Sequence, residues 1–321
     1  MSTPKICVVG AGAWGKNHIR TLQSLNSLGG VVDQSESSRK ELKKQYQDCA
    51  YFEHVDDALQ HKFDGYTVAT PPEDHFVTAV KIIDAGHHVM VEKPMTLNTA
   101  DAEKLNVIAK EKNVNLMVGH LLLFHPAFEK IKQLVDDGVL GDLQYLYSNR
   151  LNLGTIRTEE NVFWSFAPHD IALFQFFTGS MPERITSRGI DALQDGVHDT
   201  TITAFEYSGG VMGHIFVSWL HPFKEHRFVV VGSEGMVRFE DSIDGKPLVF
   251  YDKKVGWAEG KPIPLSGPTR HIEYEPTLAL TKELEYFIDH LNGDPIEIAN
   301  GDSAVQVIQT LERATVSLME Q

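Results

Sequence analysis

Lys93 stands in a setting that suits proton transfer. It lies in the segment Glu92-Lys93-Pro94, directly after the apolar run His88–Val91. The proline restricts the backbone, so a lysine at the end of this predicted strand is held at the sheet edge rather than on a mobile loop. Such a lysine can donate a hydrogen bond to a substrate oxygen, and desolvation would lower its pKa enough for proton exchange with a hydroxyl group. A solvated loop lysine fits the local pattern equally well.

A glycine-rich turn near the N-terminus has the pattern of a phosphate cradle. A strand-like run precedes it, a helix-like run follows it, and it reads Gly10, Ala11, Gly12, Ala13, Trp14, Gly15. In a G-x-G-x-x-G turn the first glycine allows the tight turn, the second admits a pyrophosphate, and the third lets helix and strand pack closely. The helix N-terminus adds partial positive charge. This context predicts dinucleotide binding, and the plainer alternative is a glycine-rich turn of any doubly wound protein.

An acidic residue suited to a ribose follows the turn. Asp33 comes 23 positions after Gly10. Its carboxylate would accept hydrogen bonds from ribose hydroxyls and repel a 2′-phosphate, so NAD is favoured over NADP. Arg39 lies nearby, and its place inside the next helix predicts that it points outward. The full set of predicted cofactor contacts is Gly10, Gly12, Ala13, Trp14, Gly15, Asp33, Thr70, Pro71, His75, Glu92, Lys93 and His120.

Strands and helices must alternate to position these residues, and the first 120 residues show that rhythm. The predicted strands are Ile6–Val9, Gly30–Val32, Gly65–Ala69, His88–Val91 and Val114–Val118. The predicted helices between them are Trp14–Leu25, Ser37–Tyr46, His75–Ala85 and Ala100–Lys112. Such alternation implies a parallel sheet whose carboxyl edge carries the ligand-binding loops.

A different pattern begins after His120. The helices predicted there are Pro126–Val135, Ser165–Phe177, Thr277–Leu291 and Asp302–Glu320, the last with a cap at Asp302. The strands are Leu143–Leu151, Arg184–Gly189, Thr200–Tyr207, Gly210–Ser218, Arg227–Val231, Met236–Glu240 and Leu248–Tyr251. The predicted fold is therefore α/β: a Rossmann domain over residues 1–120, and an α+β domain over residues 121–321 with an open-faced, mostly antiparallel sheet. The last helix is expected to pack back on the first domain.

Composition narrows the class of partner. The chain has 29 Lys and Arg against 44 Asp and Glu, a formal net charge of −15, which argues against nucleic acid and anionic membranes as partners. The chain has only two cysteines, Cys49 and Cys7, the latter inside an apolar run, which suggests a reducing compartment. The N-terminal residues do not have the pattern of a signal peptide. We therefore expect a cytoplasmic protein. Because the fifteen histidines are scattered, we expect no metal site.

These motifs together resemble one oxidoreductase family. The glycine turn, Asp33, Thr70-Pro71-Pro72 and above all Glu92-Lys93-Pro94 are similar to the glucose-fructose oxidoreductase/inositol dehydrogenase/rhizopine-catabolism (GFO/IDH/MocA) family. The resemblance covers essentially the whole chain. It implies an NAD-dependent dehydrogenase that acts on a sugar hydroxyl, with Lys93 catalytic beside the nicotinamide. It also implies dimers or tetramers, and an open sheet face points the same way.

The resemblance also implies a second catalytic residue. A family motif of aspartate followed four positions later by histidine corresponds to Ser165 and His169, so serine replaces the usual aspartate here. Serine can orient a group but carries no charge, which shifts the proton work onto Lys93 and His169. Asp170 is a poor substitute because adjacent helix positions point about 100° apart. A helix-start histidine is the alternative reading of His169.

Within the family, the chain looks most like the UDP-N-acetylglucosamine 3-dehydrogenases. The stretches that carry that likeness are Leu121–Pro126 after His120, Arg150–Arg157 and Phe163-Trp164. The predicted substrate-binding residues are Lys93, Arg150, Arg157, Trp164, Ser165 and His169. The arginines would pair with a diphosphate, and Lys224 and Arg227 are further candidates. Such enzymes oxidise the sugar 3-hydroxyl to a ketone ahead of an aminotransferase, a pathway partner. Another sugar or polyol (a UDP-hexuronic acid, glucose, inositol), the reverse direction as a ketoreductase, and a catalytically silent NAD-binding regulator remain alternatives.

Overall fold

The computed structural model describes residues 3–320. They divide into two compact units, one comprising residues 3–124 with 277–309 and the other residues 125–276 with 310–320. The sequence had placed a boundary at residue 120 and assigned everything after it to the second domain. Among the described residues, none of the helices combines the length and apolar character needed to cross a bilayer.

The first unit is a doubly wound parallel sheet. Its strands are β1 (Ile6–Val9), β2 (Leu28–Val32), β3 (Ala50–Phe52), β4 (Gly65–Val68), β5 (His88–Glu92) and β6 (Leu116–Gly119). They lie in the order β3-β2-β1-β4-β5-β6, all parallel. The helices are α1 (Gly15–Ser24), α2 (Glu36–Gln45), α3 (Val55–Ala58), α4 (His75–Asp84), α5 (Thr99–Glu111) and, later in the chain, α9 (Ala279–Asp289). The predicted Rossmann architecture is confirmed.

Burial explains which of these elements the sequence revealed. β1 and β4 are buried along their whole length, so their apolar runs are unbroken. β3 is only half-buried, and α3 carries two aspartates in its first turn. Neither β3 nor α3 was predicted, because short polar elements at a sheet edge have little periodic pattern.

The second unit is built on a larger sheet. Its strands are β7 (Leu143–Leu151), β8 (Arg184–Ile190), β9 (Thr200–Glu206), β10 (Met212–Ser218), β11 (Glu225–Gly232), β12 (Met236–Glu240), β13 (Leu248–Ala258) and β14 (Lys261–His271). The order is β14-β13-β12-β11-β7-β10-β9-β8, antiparallel except for the β7–β10 pair. The predicted mostly antiparallel sheet is confirmed. β14 was missed because its prolines and full exposure resemble a loop, and proline is tolerated on such an edge strand.

The remaining helices correct two predictions. They are α6 (Pro126–Asp136), α7 (Val162–Phe166), α8 (Pro168–Thr178) and α10 (Gly301–Met319). The predicted single helix Ser165–Phe177 is two helices, because Pro168 starts a new one and cannot continue the amide ladder of the first. The predicted cap at Asp302 is also wrong. Asn300 Oδ1 accepts a hydrogen bond from the Ser303 amide (2.9 Å), while Asp302 pairs with Lys110.

Candidate cofactor and proton-transfer site

The glycine turn is packed tightly on one side and open on the other. A Cβ at Gly10 would lie 2.7 Å from the Ala69 carbonyl oxygen, and one at Gly15 would lie 2.0 Å from the Gly10 carbonyl oxygen. A Cβ at Gly12 would meet nothing within 4 Å. No side chain caps the N-terminus of α1 at Trp14. These features fit a bound pyrophosphate, which needs close backbone approach at Gly12 and the partial positive charge of a helix N-terminus.

Asp33 ties the end of β2 to this turn. Its Oδ2 accepts a hydrogen bond from the Ala11 amide (2.7 Å), and its Oδ1 accepts one from the Ser35 amide (2.9 Å). The carboxylate therefore stands beside the phosphate cradle, where a ribose hydroxyl would reach it. The expectation that Arg39 points outward is wrong. Arg39 Nη1 donates to the Asp33 carbonyl (2.5 Å) and Nη2 pairs with Glu53, because two acceptors draw it back to the sheet edge.

The loops after β4 and β5 are held together by His75. Its ring nitrogens lie 2.8 Å from the Pro94 carbonyl oxygen and 2.9 Å from the Thr70 carbonyl oxygen. Thr70 Oγ1 is buried without a hydrogen-bond partner among residues 3–320, which suits a polar ligand at this edge. The neighbouring Pro71 is exposed. The sequence-predicted cofactor residues of these loops thus meet at one edge of the sheet.

Glu92 connects the cofactor turn to the candidate catalytic lysine. Trp14 Nε1 donates to Glu92 Oε1, His18 Nε2 lies 2.7 Å from that same oxygen, and the Lys93 amide donates to Oε2 at 3.2 Å. Gly119 of β6 is the strand-pairing partner of Glu92 in β5. Its lack of a side chain leaves space for the carboxylate, since a Cβ at Gly119 would lie 2.9 Å from Glu92 Oε2. Burial alone would raise the pKa of Glu92, but hydrogen bonds from His18 and Trp14, together with the Lys93 charge, hold it below its usual range.

His120 follows β6 and shares this environment. Its side chain is buried, and burial lowers the pKa of His120 to about 4; the Lys93 charge lowers it further and the Glu92 charge opposes the shift. A neutral imidazole is therefore present at neutral pH. The positive charge that faces Glu92 from this side is that of Lys93, and His120 acts as a neutral polar group.

Glu283 on α9 is a second buried carboxyl near Glu92. It is fully buried, and neither side-chain oxygen has a hydrogen-bond partner among the described residues. Burial and then the charge of Glu92 raise the pKa of Glu283 well above its usual range. The pKa values of these two buried carboxyls are thus shifted in opposite directions, which favours the charged form of Glu92 and the protonated form of Glu283.

Replacing Glu283 with methionine is expected to stabilise the protein. Removing a buried, unpartnered carboxyl should raise the free energy of unfolding by about 1–3 kcal/mol near pH 8. The gain should shrink toward pH 5. The folded wild type keeps the Glu283 proton while the unfolded chain releases it above its ordinary pKa, so wild-type stability falls as pH rises. Urea denaturation at both pH values measures this, with the exposed Glu285→Met on the same helix as control. A gain independent of pH would contradict the assignment.

In the second unit, Arg150 is paired within the protein. Its Nε lies 2.5 Å from Asp170 Oδ2, and Ser148 Oγ donates to Asp170 Oδ1 at 2.7 Å. Asp170 is fully buried, so it needs this cation. Both carboxylate oxygens of Asp170 are therefore engaged by the sheet residues Arg150 and Ser148, and its unsuitability as a replacement for the aspartate missing at Ser165 stays a prediction. Substrate binding by Arg150 stays a prediction.

The other predicted substrate residues lie in α7, α8 and the loops of this unit. Trp164 Nε1 donates to Thr315 Oγ1 (2.9 Å), Ser165 is buried in α7, and His169 is half-buried at the start of α8. Three cations predicted to bind the substrate also belong to this unit. Arg157 forms an ion pair with Glu160, Arg227 forms ion pairs with Glu225 and Glu240, and Lys224 is exposed. Their substrate roles, and that of His169 in proton transfer, stay predictions.

Comparison with known families decides the class of the protein. The family model described as "Oxidoreductase family, NAD-binding Rossmann fold" (GFO_IDH_MocA) matches residues 4–120, and the GFO/IDH/MocA C-terminal domain matches residues 128–238. The chain belongs to the GFO/IDH/MocA oxidoreductase family. The predictions of this family, of an oxidoreductase and of NAD as the cofactor are thereby confirmed.

Several relatives within the GFO/IDH/MocA family are similar to this chain. The UDP-N-acetylglucosamine 3-dehydrogenase of Acidithiobacillus ferrooxidans is 31% identical over 189 residues, which cover 59% of this chain and 58% of that relative. A solved structure of that enzyme, GnnA, superposes with a TM-score of 0.88 at 23% identity, over 100% of this chain and 99% of that one. The WlbA dehydrogenase from Bordetella pertussis, solved with NADH and UDP-GlcNAcA, gives 0.80 at 20% identity over 99% and 97%.

Three residues of the site were missed from the sequence. His18, Gly119 and Glu283 all contact or face Glu92, and none was singled out. A signal existed for the first, since His18 follows Trp14 by four positions and so shares its helix face. Glu283 precedes Leu284 on the apolar side of an amphipathic helix, where a carboxylate is unusual. Gly119 had no such signal, because its close approach depends on strand pairing.

Proposed function

We propose that this oxidoreductase oxidises the 3-hydroxyl of UDP-N-acetylglucosamine to a ketone. One observation carries the chemistry: the Glu92 carboxylate is bonded both to Trp14 of the cofactor turn and to the Lys93 amide. This arrangement supports a role for Lys93 in proton transfer, because it ties the backbone of the lysine to the cofactor turn. The substrate rests on the 31% identity to a UDP-N-acetylglucosamine 3-dehydrogenase, and the structure-based likeness to WlbA agrees with a UDP-sugar.

The residues divide the reaction between them. NAD, when bound, accepts the hydride from the sugar carbon. Lys93 enters this step in its amine form and takes the hydroxyl proton as the C=O bond forms. The resulting ammonium group is the positive charge that faces Glu92. His169 is the second candidate for this proton. The cradle at Gly12 and the carboxylate of Asp33 orient the cofactor by its pyrophosphate and ribose.

The decisive experiment supplies NAD and UDP-N-acetylglucosamine deuterated at C3. The expected result is NADH that carries the deuterium and a 3-keto sugar that has lost the C3 deuterium and the hydroxyl hydrogen. Because oxidation of a hydroxyl by NAD is often unfavourable at equilibrium, a sugar aminotransferase with its amino donor is added to consume the ketone. N-acetylglucosamine without UDP, UDP-glucose, UDP-N-acetylglucosaminuronic acid and inositol are compared in parallel. Turnover of the free sugar or of inositol in preference to the UDP-sugar would reject the substrate.

We also propose a homo-oligomer formed through the open face of the second sheet. Tyr145, Tyr147, His214 and Phe216 share that face, half-buried, while Ile202 on neighbouring β9 is 50% exposed. Tyr147 and His214 stack with ring centroids 5.2 Å apart. Exposed aromatic surface of this kind is typical of an interface.

Ile202→Asp is expected to dissociate this oligomer. A charge at this exposed position on the face would be desolvated in the interface, so the mass in solution should fall to that of one 35.9 kDa chain. Light scattering coupled to gel filtration measures it. Val77→Asp, at an equally exposed apolar residue of the first unit, is the control and should keep the wild-type mass. An oligomer that survives Ile202→Asp would place the interface elsewhere.

A further inference from the structure

Arg39 occupies the place where an arginine would ordinarily favour NADP. Its side chain is 16% exposed, and it contacts the backbone of Asp33, the residue expected to receive the ribose. A guanidinium at this position is the group that accommodates a 2′-phosphate, because it binds phosphate in a planar fork. Asp33 and Arg39 therefore give opposite indications of cofactor preference when each is considered alone.

Glu53 resolves this conflict. Its Oε2 lies 3.0 Å from Arg39 Nη2 while Arg39 Nη1 donates to the Asp33 carbonyl at 2.5 Å. β2 and β3 are neighbouring parallel strands, and the Asp33 amide donates to the Phe52 carbonyl (3.1 Å). Asp33 and Glu53 therefore follow adjacent strands at the same edge of the sheet. The arginine bridges them, with one hydrogen bond to each side.

We propose that Glu53 is a specificity-determining residue that secures NAD selectivity by occupying Arg39. In this arrangement the two acidic residues act differently. Asp33 repels a 2′-phosphate directly, whereas Glu53 holds the guanidinium that would otherwise receive it. The inference deepens the established NAD binding and does not depend on the identity of the sugar.

If the Arg39–Glu53 ion pair were only structural, its removal would affect stability rather than cofactor preference. Glu53 is 54% exposed, and pairs of that exposure add little to stability. The test must also separate the contact with Arg39 from a general loss of negative charge near the site. Glu36 supplies that control, because it lies on the same helix as Arg39 but pairs with Lys40 (2.7 Å) instead. Glu36→Gln and Glu53→Gln remove the same charge with the same change of shape.

The experiment measures dissociation constants of NADPH and NADH by fluorescence and calorimetry, without sugar. Glu53→Gln is expected to shift the preference toward NADPH by roughly tenfold, the size of one charge-assisted hydrogen bond. Glu36→Gln should leave the ratio near that of the wild type. In the double variant Glu53→Gln/Arg39→Met the gain should disappear, because the phosphate has lost its partner. The double variant Asp33→Ser/Glu53→Gln should shift the binding free energy toward NADPH by more than the sum of the two single-variant shifts, since both obstacles to the 2′-phosphate are removed.

Three results would overturn the inference. They are an unchanged ratio in Glu53→Gln, an equal shift in Glu36→Gln, and a gain that persists without Arg39. Because no sugar is present, an error in the proposed substrate leaves each of these results unchanged. Thermal unfolding of the same variants shows whether any loss of binding reflects loss of fold. Replacing Arg39 with lysine instead of methionine in the Glu53→Gln background should restore part of the NADPH gain, because lysine supplies a point charge.

Discussion

Lys93→Met is expected to lower kcat/KM for sugar oxidation by roughly 10²–10⁴-fold, the usual contribution of a positioned acid–base group. Methionine keeps the length and apolar stem of the side chain but cannot take the hydroxyl proton. NADH binding should persist, because the cradle at Gly12 and the Asp33 carboxylate lie on other loops of the unit. Steady-state kinetics and NADH fluorescence titration measure the two effects separately.

The control for this variant is Lys112→Met. Lys112 is exposed, pairs with Asp84 and belongs to neither the cradle nor the Glu92 cluster. The Lys112→Met substitution removes the same charge from the same unit and should leave kcat/KM near the wild-type value. If kcat/KM of Lys93→Met stays within about tenfold of the wild-type value, another group accepts the hydroxyl proton, and His169 is the first candidate.

Glu92→Ala is expected to destabilise the protein by about 3–5 kcal/mol at neutral pH, the cost of breaking a buried charged pair by removing one partner. The carboxylate is 7% exposed and is the acceptor for Trp14, His18 and the Lys93 amide. Its removal leaves the buried His18 ring and the Trp14 and Lys93 donors without this acceptor. Activity should fall as well, because Trp14 and Lys93 are then no longer positioned by one group. Chemical denaturation and kcat/KM measured on the same preparations test both effects.

The pH dependence of this loss has a definite sign. The pKa of Glu92 is lowered in the folded protein, so its contribution is complete above the ordinary glutamate pKa and disappears as pH falls through the folded value. The difference between wild type and Glu92→Ala should therefore be full at pH 7 and shrink in strong acid. This is the opposite of the Glu283→Met difference, which grows with pH. Glu92→Gln, which keeps the shape and an acceptor oxygen, should lose less stability than Glu92→Ala; an equal loss would mean that charge is the whole effect.

Much of the cofactor site could be predicted because its chemistry is local in sequence. The turn from Gly10 to Gly15, the carboxylate of Asp33 and the lysine of Glu92-Lys93-Pro94 each follow a recognisable strand. In a parallel sheet the carboxyl ends of the strands meet at one edge, so locating the strands was enough to bring the loops together. The peptide bond between Lys93 and Pro94 in this motif is cis.

Side-chain partners could not be predicted in the same way. Arg39 was expected to face solvent from α2, and it is drawn back by Glu53, which follows a short half-buried strand that left no pattern. Arg150 was predicted to meet a substrate diphosphate, and its Nε pairs with Asp170 from a helix 20 residues later. Each pairing depends on which elements become neighbours, and periodicity within one element carries no such information.

The family, the parallel sheet and the residues that could bind a dinucleotide and move a proton were predictable from the linear order of residues. Those properties depend on the apolar pattern of single elements and on short motifs, which survive in the linear order of residues. The pKa shifts of the site depend instead on contacts between distant segments. The pKa of Glu92 is held low because His18 of α1 and Trp14 just before it bond to the carboxylate, and the pKa of Glu283 is raised because α9, far along the chain, buries it near Glu92. A pKa depends on burial and on nearby charges, and both are set by the folding of distant segments against one another.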